Sequence, residues 1–201
     1  KILWVKHHEP AIYARIAQIL LPKDYVRFRL TGAYATDKAG ASGTILFDVR
    51  RRTWSGVLAA ELGINEAWLP PTYEGTEVTG YVLVAAAQAC GLVAGIPVLA
   101  GGGDQAANAV GAGAVVDGIV ALSLGTSGVI FASSDRPIIE PQGRLHAFCH
   151  AVPDKWHLMG VMLSAAVRRR GDSQTPGADP GGDAAVAGAP ARPPRPGGGG
   201  F

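Results

Sequence analysis

The chain is 201 residues long and 48% hydrophobic, enough for a core in one large domain or two small ones. Its 18 basic and 16 acidic residues leave a net charge of +2, and the excess lies wholly after Ala166, so no nucleic-acid partner is indicated. Cys90 and Cys149 are too few for a disulfide framework and point to a reducing cytoplasm, and no signal peptide is read at the start.

The opening Lys1-Ile2-Leu3-Trp4-Val5 is an apolar run with no methionine or turn before it, and it reads as a piece of something longer. Pro10 suits the first turn of a helix with Ile12, Ile16, Ile19 and Leu20 on one face, which Pro22 stops. Lys23 to Leu30 reads as a second short helix, with Val26 and Leu30 inward and Gly32 as its C-terminal cap. Lys23, Arg27 and Arg29 are assigned to its solvated face. A turn-rich stretch from Tyr34 to Val49 ends in a strand at Thr44–Phe47. Arg50, Arg51 and Arg52 read as an exposed loop. Ser55 then caps a helix whose Val57, Leu58 and Leu62 face inward and which Gly63 ends.

Leu69-Pro70-Pro71 breaks the chain, and a hinge is expected near Pro71–Gly80. Thr79 to Gly103 carries no charge and has the length of a membrane span, but Gln88, Gly91, Gly95 and Pro97 interrupt it. The better reading is a helix at Val82–Cys90, closed by Gly91, followed by a buried strand at Ile96–Ala100. No membrane partner is expected.

Gly101, Gly102 and Gly103 then supply a turn without side-chain bulk, and Asp104 opens an alanine-rich helix. That carboxylate is either an N-cap or a group presented to a ligand beside the glycines. Ile119–Leu124 and Val129–Ala132 read as strands joined by Gly125-Thr126-Ser127-Gly128. This turn is either an ordinary hairpin or a loop that aims N–H groups and hydroxyls at a phosphate. Arg144–Val152 and Lys155–Met162 read as two more strands around a Pro153-Asp154 turn. The spacing of His146, Cys149, His150 and His157 on strands does not support a zinc site, and no metal-binding residues are assigned. From Val167 to Phe201 nine glycines and six prolines fill the chain without Leu, Ile, Tyr or Trp, the composition of a disordered tail or a shifted reading frame.

GGGDQ at 101–105 and GTSG at 125–128, each at the end of an apolar strand, resemble the catalytic aspartate and second phosphate loop of the FGGY carbohydrate kinases. LLPKDYVRFRLTG is similar to the same family, and HAFCHAVPDKWHLMGVMLSAA is most similar to its xylulose-phosphorylating members. The resemblance covers Lys1 to Ala166 and implies an α/β, ribonuclease H-like fold shared with actin and heat-shock ATPases. It assigns 1–75 to the end of the first kinase domain, 76–166 to the start of the second, and 167–201 to an unrelated tail. It further implies ATP and Mg2+ as cofactors and a sugar as small-molecule partner, with D-xylulose favoured over glycerol, gluconate or ribulose. A homodimeric parent enzyme is compatible with it. Asp104 would be the general base and, with Gln105, a substrate contact, while Gly125, Thr126 and Ser127 would face the nucleotide phosphates. A binding remnant without catalysis is the alternative. A dinucleotide-binding oxidoreductase fits poorly, because GGGDQAANAVGAG does not place GxGxxG at a strand-to-helix turn.

Overall fold

The computed structural model describes residues 1–125 and 127–163. Thr126 and the segment 164–201, with the tail expected from Val167 onward, lie outside the described residues.

Helix α1 (Ile2–His8) is followed by α2 (Pro10–Tyr13), which Pro10 opens as expected. The helix does not run on to Leu20. Instead the Ile19 N–H donates to the Trp68 carbonyl at 2.8 Å, in a 3₁₀ turn at Glu66–Trp68, and Ile19 packs with Ile2 on Leu46, Ala59, Ile64 and Leu69. A tertiary hydrogen bond has replaced the helical one.

Helix α3 (Pro22–Thr31) starts on the proline that was expected only to stop its predecessor, and it ends on Gly32 in the left-handed region at φ 73°. Its buried face differs from the expected one, although Arg29 is exposed as expected and Leu30 is half-buried. Val26 is 57% exposed, whereas Asp24, Arg27 and Thr31 are buried. These three lie at i, i+3 and i+7, one stripe of a helix. The burial is tolerable because each charge has partners. Arg27 Nη1 donates to Asp24 Oδ1 and to the Ala35 carbonyl, both at 2.9 Å, and Nη2 donates to the Ala100 carbonyl. Lys23, also expected in solvent, donates to Asp24 at 2.9 Å and to the fully buried Asp37.

Strand β1 (Thr36–Asp37) pairs in parallel with β4 (Thr72–Tyr73), and Asp37 caps α4 (Lys38–Ser42) by accepting from the Gly40 N–H at 2.6 Å. The strand expected from Thr44 begins only at Phe47, where β2 (Phe47–Asp48) pairs with β3 (Thr53–Trp54). Ser55 caps α5 (Gly56–Glu61) as expected, accepting from Leu58 N–H at 3.3 Å. Of this helix Ala59 is the residue buried, while Val57 is 75% exposed. The arginine cluster divides. Arg50 and Arg51 are exposed, but Arg52 is held by Glu74 through Nη2 at 2.6 Å and Nε at 3.0 Å, and it lies 4.8 Å over the Trp156 ring.

Strand β5 (Val78–Tyr81) pairs with β6 (Pro97–Leu99), and between them α6 (Val84–Cys90) ends on Gly91 at φ 69°. Helix α7 (Asp104–Gly111) leads to an antiparallel sheet in the order β7 (Val120–Leu124), β8 (Gly128–Ser134), β10 (Trp156–Met162), β9 (His146–Cys149). Both expected hairpins of this sheet form. Ala106 and Ala109 of α7 pack with Ala114 on Phe131 of β8, so the helix sits on the sheet through its smallest side chains. No helix among the described residues is long and apolar enough to cross a membrane.

His150 and His157 are core residues, whereas His146 of β9 is exposed. His157 is stacked between Phe131, 4.0 Å away, and Phe148, 5.1 Å away. His150 accepts from Val152 N–H on Nδ1 at 3.0 Å, which leaves the proton on Nε2 to bond the Ala114 carbonyl at 3.2 Å. Burial pushes the His157 pKa down to about 3, and burial lowers His150 as well. Both rings therefore stay neutral where an unfolded histidine, with a pKa near ~6.5, takes a proton. Stability should be full above that value and fall as pH drops toward the folded-state values, by at most ~1.4 kcal/mol per pH unit for each ring. Urea titrations at pH 7 and pH 5 should show the loss, and His157→Phe should reduce it. An equal pH dependence in the two proteins would refute the assignment to His157.

Candidate active site

The glycine turn is built by backbone anchoring on both sides. At the end of β6 the buried Ala100 donates its N–H to the Glu77 carbonyl at 2.9 Å and receives Arg27 Nη2 on its own carbonyl. Gly101, at φ 71°, reverses the chain where an L side chain would be strained, and its N–H donates to the Gly75 carbonyl at 2.9 Å. A Cβ on Gly75 would lie 2.1 Å from the Ala151 carbonyl oxygen and 2.7 Å from that of Gly101. Gly102 is pressed on Ala151 in the same way, with an added Cβ only 2.7 Å from the alanine Cβ. Gly103 differs, since nothing lies within 4 Å of the Cβ it lacks.

Gly103, not Asp104, is the N-cap of α7. Asp104 occupies the first helical position, makes no capping hydrogen bond and is exposed. The nearest polar partner of its carboxylate is Gln105 Nε2, at a long 3.5 Å. Among the described residues no cation pairs with it within 4.0 Å. The capping alternative is thereby set aside. What remains is a carboxylate with its lone pairs uncommitted, stabilised by the positive end of an eight-residue helix and bordered by open space over Gly103.

The second motif is the β7–β8 hairpin. Leu124 pairs with Gly128, leaving 125–127 as the loop. The Gly125 N–H, expected to face a phosphate, donates instead to the Ser127 carbonyl at 2.8 Å, so an incoming phosphate oxygen would have to compete with that bond. Ser127 Oγ lies 3.5 Å from the Leu163 carbonyl, a weak contact that leaves the hydroxyl available. Through Ala106, Ala109 and Phe131 the helix that begins at Asp104 packs on the strand that leaves this loop. The fold thus brings both motifs onto one helix-and-sheet unit.

Residues that sequence reasoning passed over hold this arrangement together. Glu74, next to Gly75, binds both Arg52 and Lys38, the latter at 2.7 Å. Burial pushes its carboxyl upward, but the hydrogen bonds from Arg52 and Lys38 outweigh that and hold it below the ordinary range. Arg52 Nη1 also donates to the Lys155 carbonyl at 2.9 Å, tying the 73–75 segment to the β9–β10 turn. The Asp24, Arg27, Thr31 spacing was the available signal for the other anchor. Among the described residues there is no group of three or more His, Cys, Asp or Glu able to hold a metal. A Mg2+ ion bound with a nucleotide takes most oxygens from phosphate and water, with one or two carboxylates, and the uncommitted carboxylate of Asp104 would fit such a donor set.

Residues 1–111 match the FGGY family of carbohydrate kinases, N-terminal domain, a match that continues past the hinge expected near 71–80. The chain is 51% identical over 166 residues to the xylulose kinase of Escherichia coli (strain K12), covering 83% of this chain and 34% of that protein. It is 46% identical to the xylulose kinase of Klebsiella pneumoniae, over 83% of this chain and 34% of that one. A solved structure described as a xyloylose kinase from Brucella ovis superposes with a TM-score of 0.80 at 44% identity, covering 86% of this chain and 36% of that one. The chain therefore spans about a third of the length of the relatives it matches.

Gly75→Ala should destabilise the protein by about 2 kcal/mol or more, because its Cβ would strike backbone oxygens that cannot yield cheaply. Gly103→Ser, which enters open space and supplies a capping hydroxyl, should leave stability within about 0.5 kcal/mol of wild type or raise it. Denaturant midpoints of the two variants test the pair, and equal destabilisation would contradict the asymmetry of the turn.

Proposed function

Because the chain belongs to the FGGY family of carbohydrate kinases and has the ribonuclease H-like α/β fold of sugar kinases, we propose that it is part of an ATP-dependent sugar kinase. The reaction we assign is phosphorylation of D-xylulose to D-xylulose 5-phosphate. The observation that carries the catalytic assignment is the uncapped, unpaired carboxylate of Asp104 at the head of α7. The choice of xylulose rests on the likeness to xylulose kinases.

Phosphoryl transfer asks a protein mostly for positioning and charge stabilisation, plus a base for the attacking hydroxyl. Asp104 accepts the hydroxyl proton of the sugar, which approaches over Gly103, where no side chain stands in the way. Gln105 supplies a neighbouring contact to the sugar. The Gly125 and Ser127 amides and the Thr126 hydroxyl face the nucleotide phosphates, the Gly125 amide exchanging its bond to Ser127 for a phosphate oxygen. ATP supplies the transferred phosphoryl group, and Mg2+ neutralises charge on its phosphates. We place the change from first to second kinase domain within this chain, with β7–β10 belonging to the second.

Closure of two domains around sugar and nucleotide requires linings that a third of a kinase does not supply. The purified 201-residue chain should accordingly show no xylulose-dependent ADP release above a mock preparation, and clear release would refute this. In a full-length kinase carrying these residues, Asp104→Asn should lower kcat by ~10²-fold or more, the usual scale for removal of a general base. Since Asp104 makes no capping bond, folding should be unaffected and stability should fall by no more than about 1 kcal/mol, the scale of losing a charge at a helix N-terminus. A folded Asp104→Asn enzyme with more than about a tenth of the wild-type kcat would end the general-base assignment.

A further inference from the structure

Among the described residues Asp104 has no side-chain partner that fixes its rotamer or position beyond the long contact to Gln105. Its carboxylate is therefore placed by the backbone that delivers it, and that backbone is the three-glycine turn following Ala100. Whatever holds Ala100 sets where the turn begins. The Ala100 carbonyl is held from the opposite side of the fold, by a guanidinium 73 residues earlier in the chain.

We propose that Arg27 is a positioning residue for Asp104, acting through the Ala100 carbonyl and the glycine turn. The proposal rests on the reading of Asp104 as general base. The guanidinium is 7% exposed and makes three bonds at once: Asp24 Oδ1 and the Ala35 carbonyl on Nη1, the Ala100 carbonyl on Nη2. Asp24, with no exposed surface, orients the fork, and Lys23 bonds Asp24 in turn. A planar, multiply donating group suits this task. A lysine ammonium is a point charge on a flexible stem and cannot span two carbonyls and a carboxylate in the same geometry. The turn carries that placement forward because the Gly101 N–H is bonded to the Gly75 carbonyl at 2.9 Å and Gly102 is packed on Ala151. A displacement of the base by about 1 Å can cost on the order of 10²-fold in rate, so a fixed Ala100 carries kinetic consequence.

The test is a double-mutant cycle in a full-length kinase carrying these residues. Arg27→Lys should lower kcat by ~10-fold or more while the KM for sugar and ATP moves less than about twofold. In the Asp104→Asn background the same substitution should lower kcat no further, because there is no base left to place. A fall of equal size in both backgrounds, or a rise in KM with kcat unchanged, would overturn the proposal. Retention of activity by Asp104→Asn alone would instead break the general-base reading, so the two failures are distinguishable. If Arg27→Lys does not fold, the paired replacement Asp24→Leu with Arg27→Met removes both buried charges together and enters the same cycle. Failure of both variants to fold would make Arg27 a residue of stability only and would overturn the positioning role.

Discussion

A carboxylate and a guanidinium buried on one face of α3 are the constraint on which the glycine turn before α7 depends. Asp24 and Arg27 sit where a short amphipathic helix would ordinarily carry leucine or valine. Apolar residues there could fill the space, but they could not reach two carbonyl oxygens on separate segments. By bonding Ala35 and Ala100 together, Arg27 joins the start of β1 to the end of β6. Removing Asp24 alone would leave the buried Arg27 charge without a carboxylate, a far larger penalty than the pair itself contributes.

A second polar anchor works from the other side of the glycine turn. Glu74 gathers Arg52 and Lys38, and Arg52 reaches on to Trp156 and the Lys155 carbonyl. These bonds fix Gly75, whose carbonyl accepts from Gly101 and whose missing side chain allows the turn to pack against Ala151. The turn is thus clamped at its entrance by Arg27 and along its flank by Gly75. The clamps use charge and close backbone approach, where a larger apolar core would otherwise be needed. The core clusters are small and alanine-rich, with Ala106 and Ala109 against Phe131, so close approach is what brings helix and sheet together.

The same economy leaves the Asp104 carboxylate free for the role proposed for it. A carboxylate engaged as a cap or in an ion pair would have to give up that bond before accepting a proton. Among the described residues Asp104 has no such bond, because Gly103 takes the capping position and the anchoring charges bond elsewhere. The phosphate-loop motif is less open, with Gly125 bonded across its own turn to Ser127.

Much of the local structure was legible in the residues. Gly32 and Gly91 end helices in the left-handed conformation, Ser55 caps α5, and the strands around Gly125–Gly128 and Pro153–Asp154 pair as hairpins. These features depend on the backbone preferences of single residues or on contacts a few positions apart, and such preferences are written in the chain. The family resemblance of GGGDQ and LLPKDYVRFRLTG was equally a property of the string, and the match of residues 1–111 to the FGGY N-terminal domain agrees with it. The inward face of α3, the end of α2 and the separation of Arg52 from Arg50 and Arg51 were not legible. Each depends on a partner far along the chain: Ala100 for Arg27, Trp68 for Ile19, Glu74 and Trp156 for Arg52. Hydrophobic periodicity sends charge to water unless a partner is present, and only the tertiary structure supplies one. The sequence alone thus determined the local caps, the hairpins and the family motifs, and the folded chain decided which buried charges hold them in place.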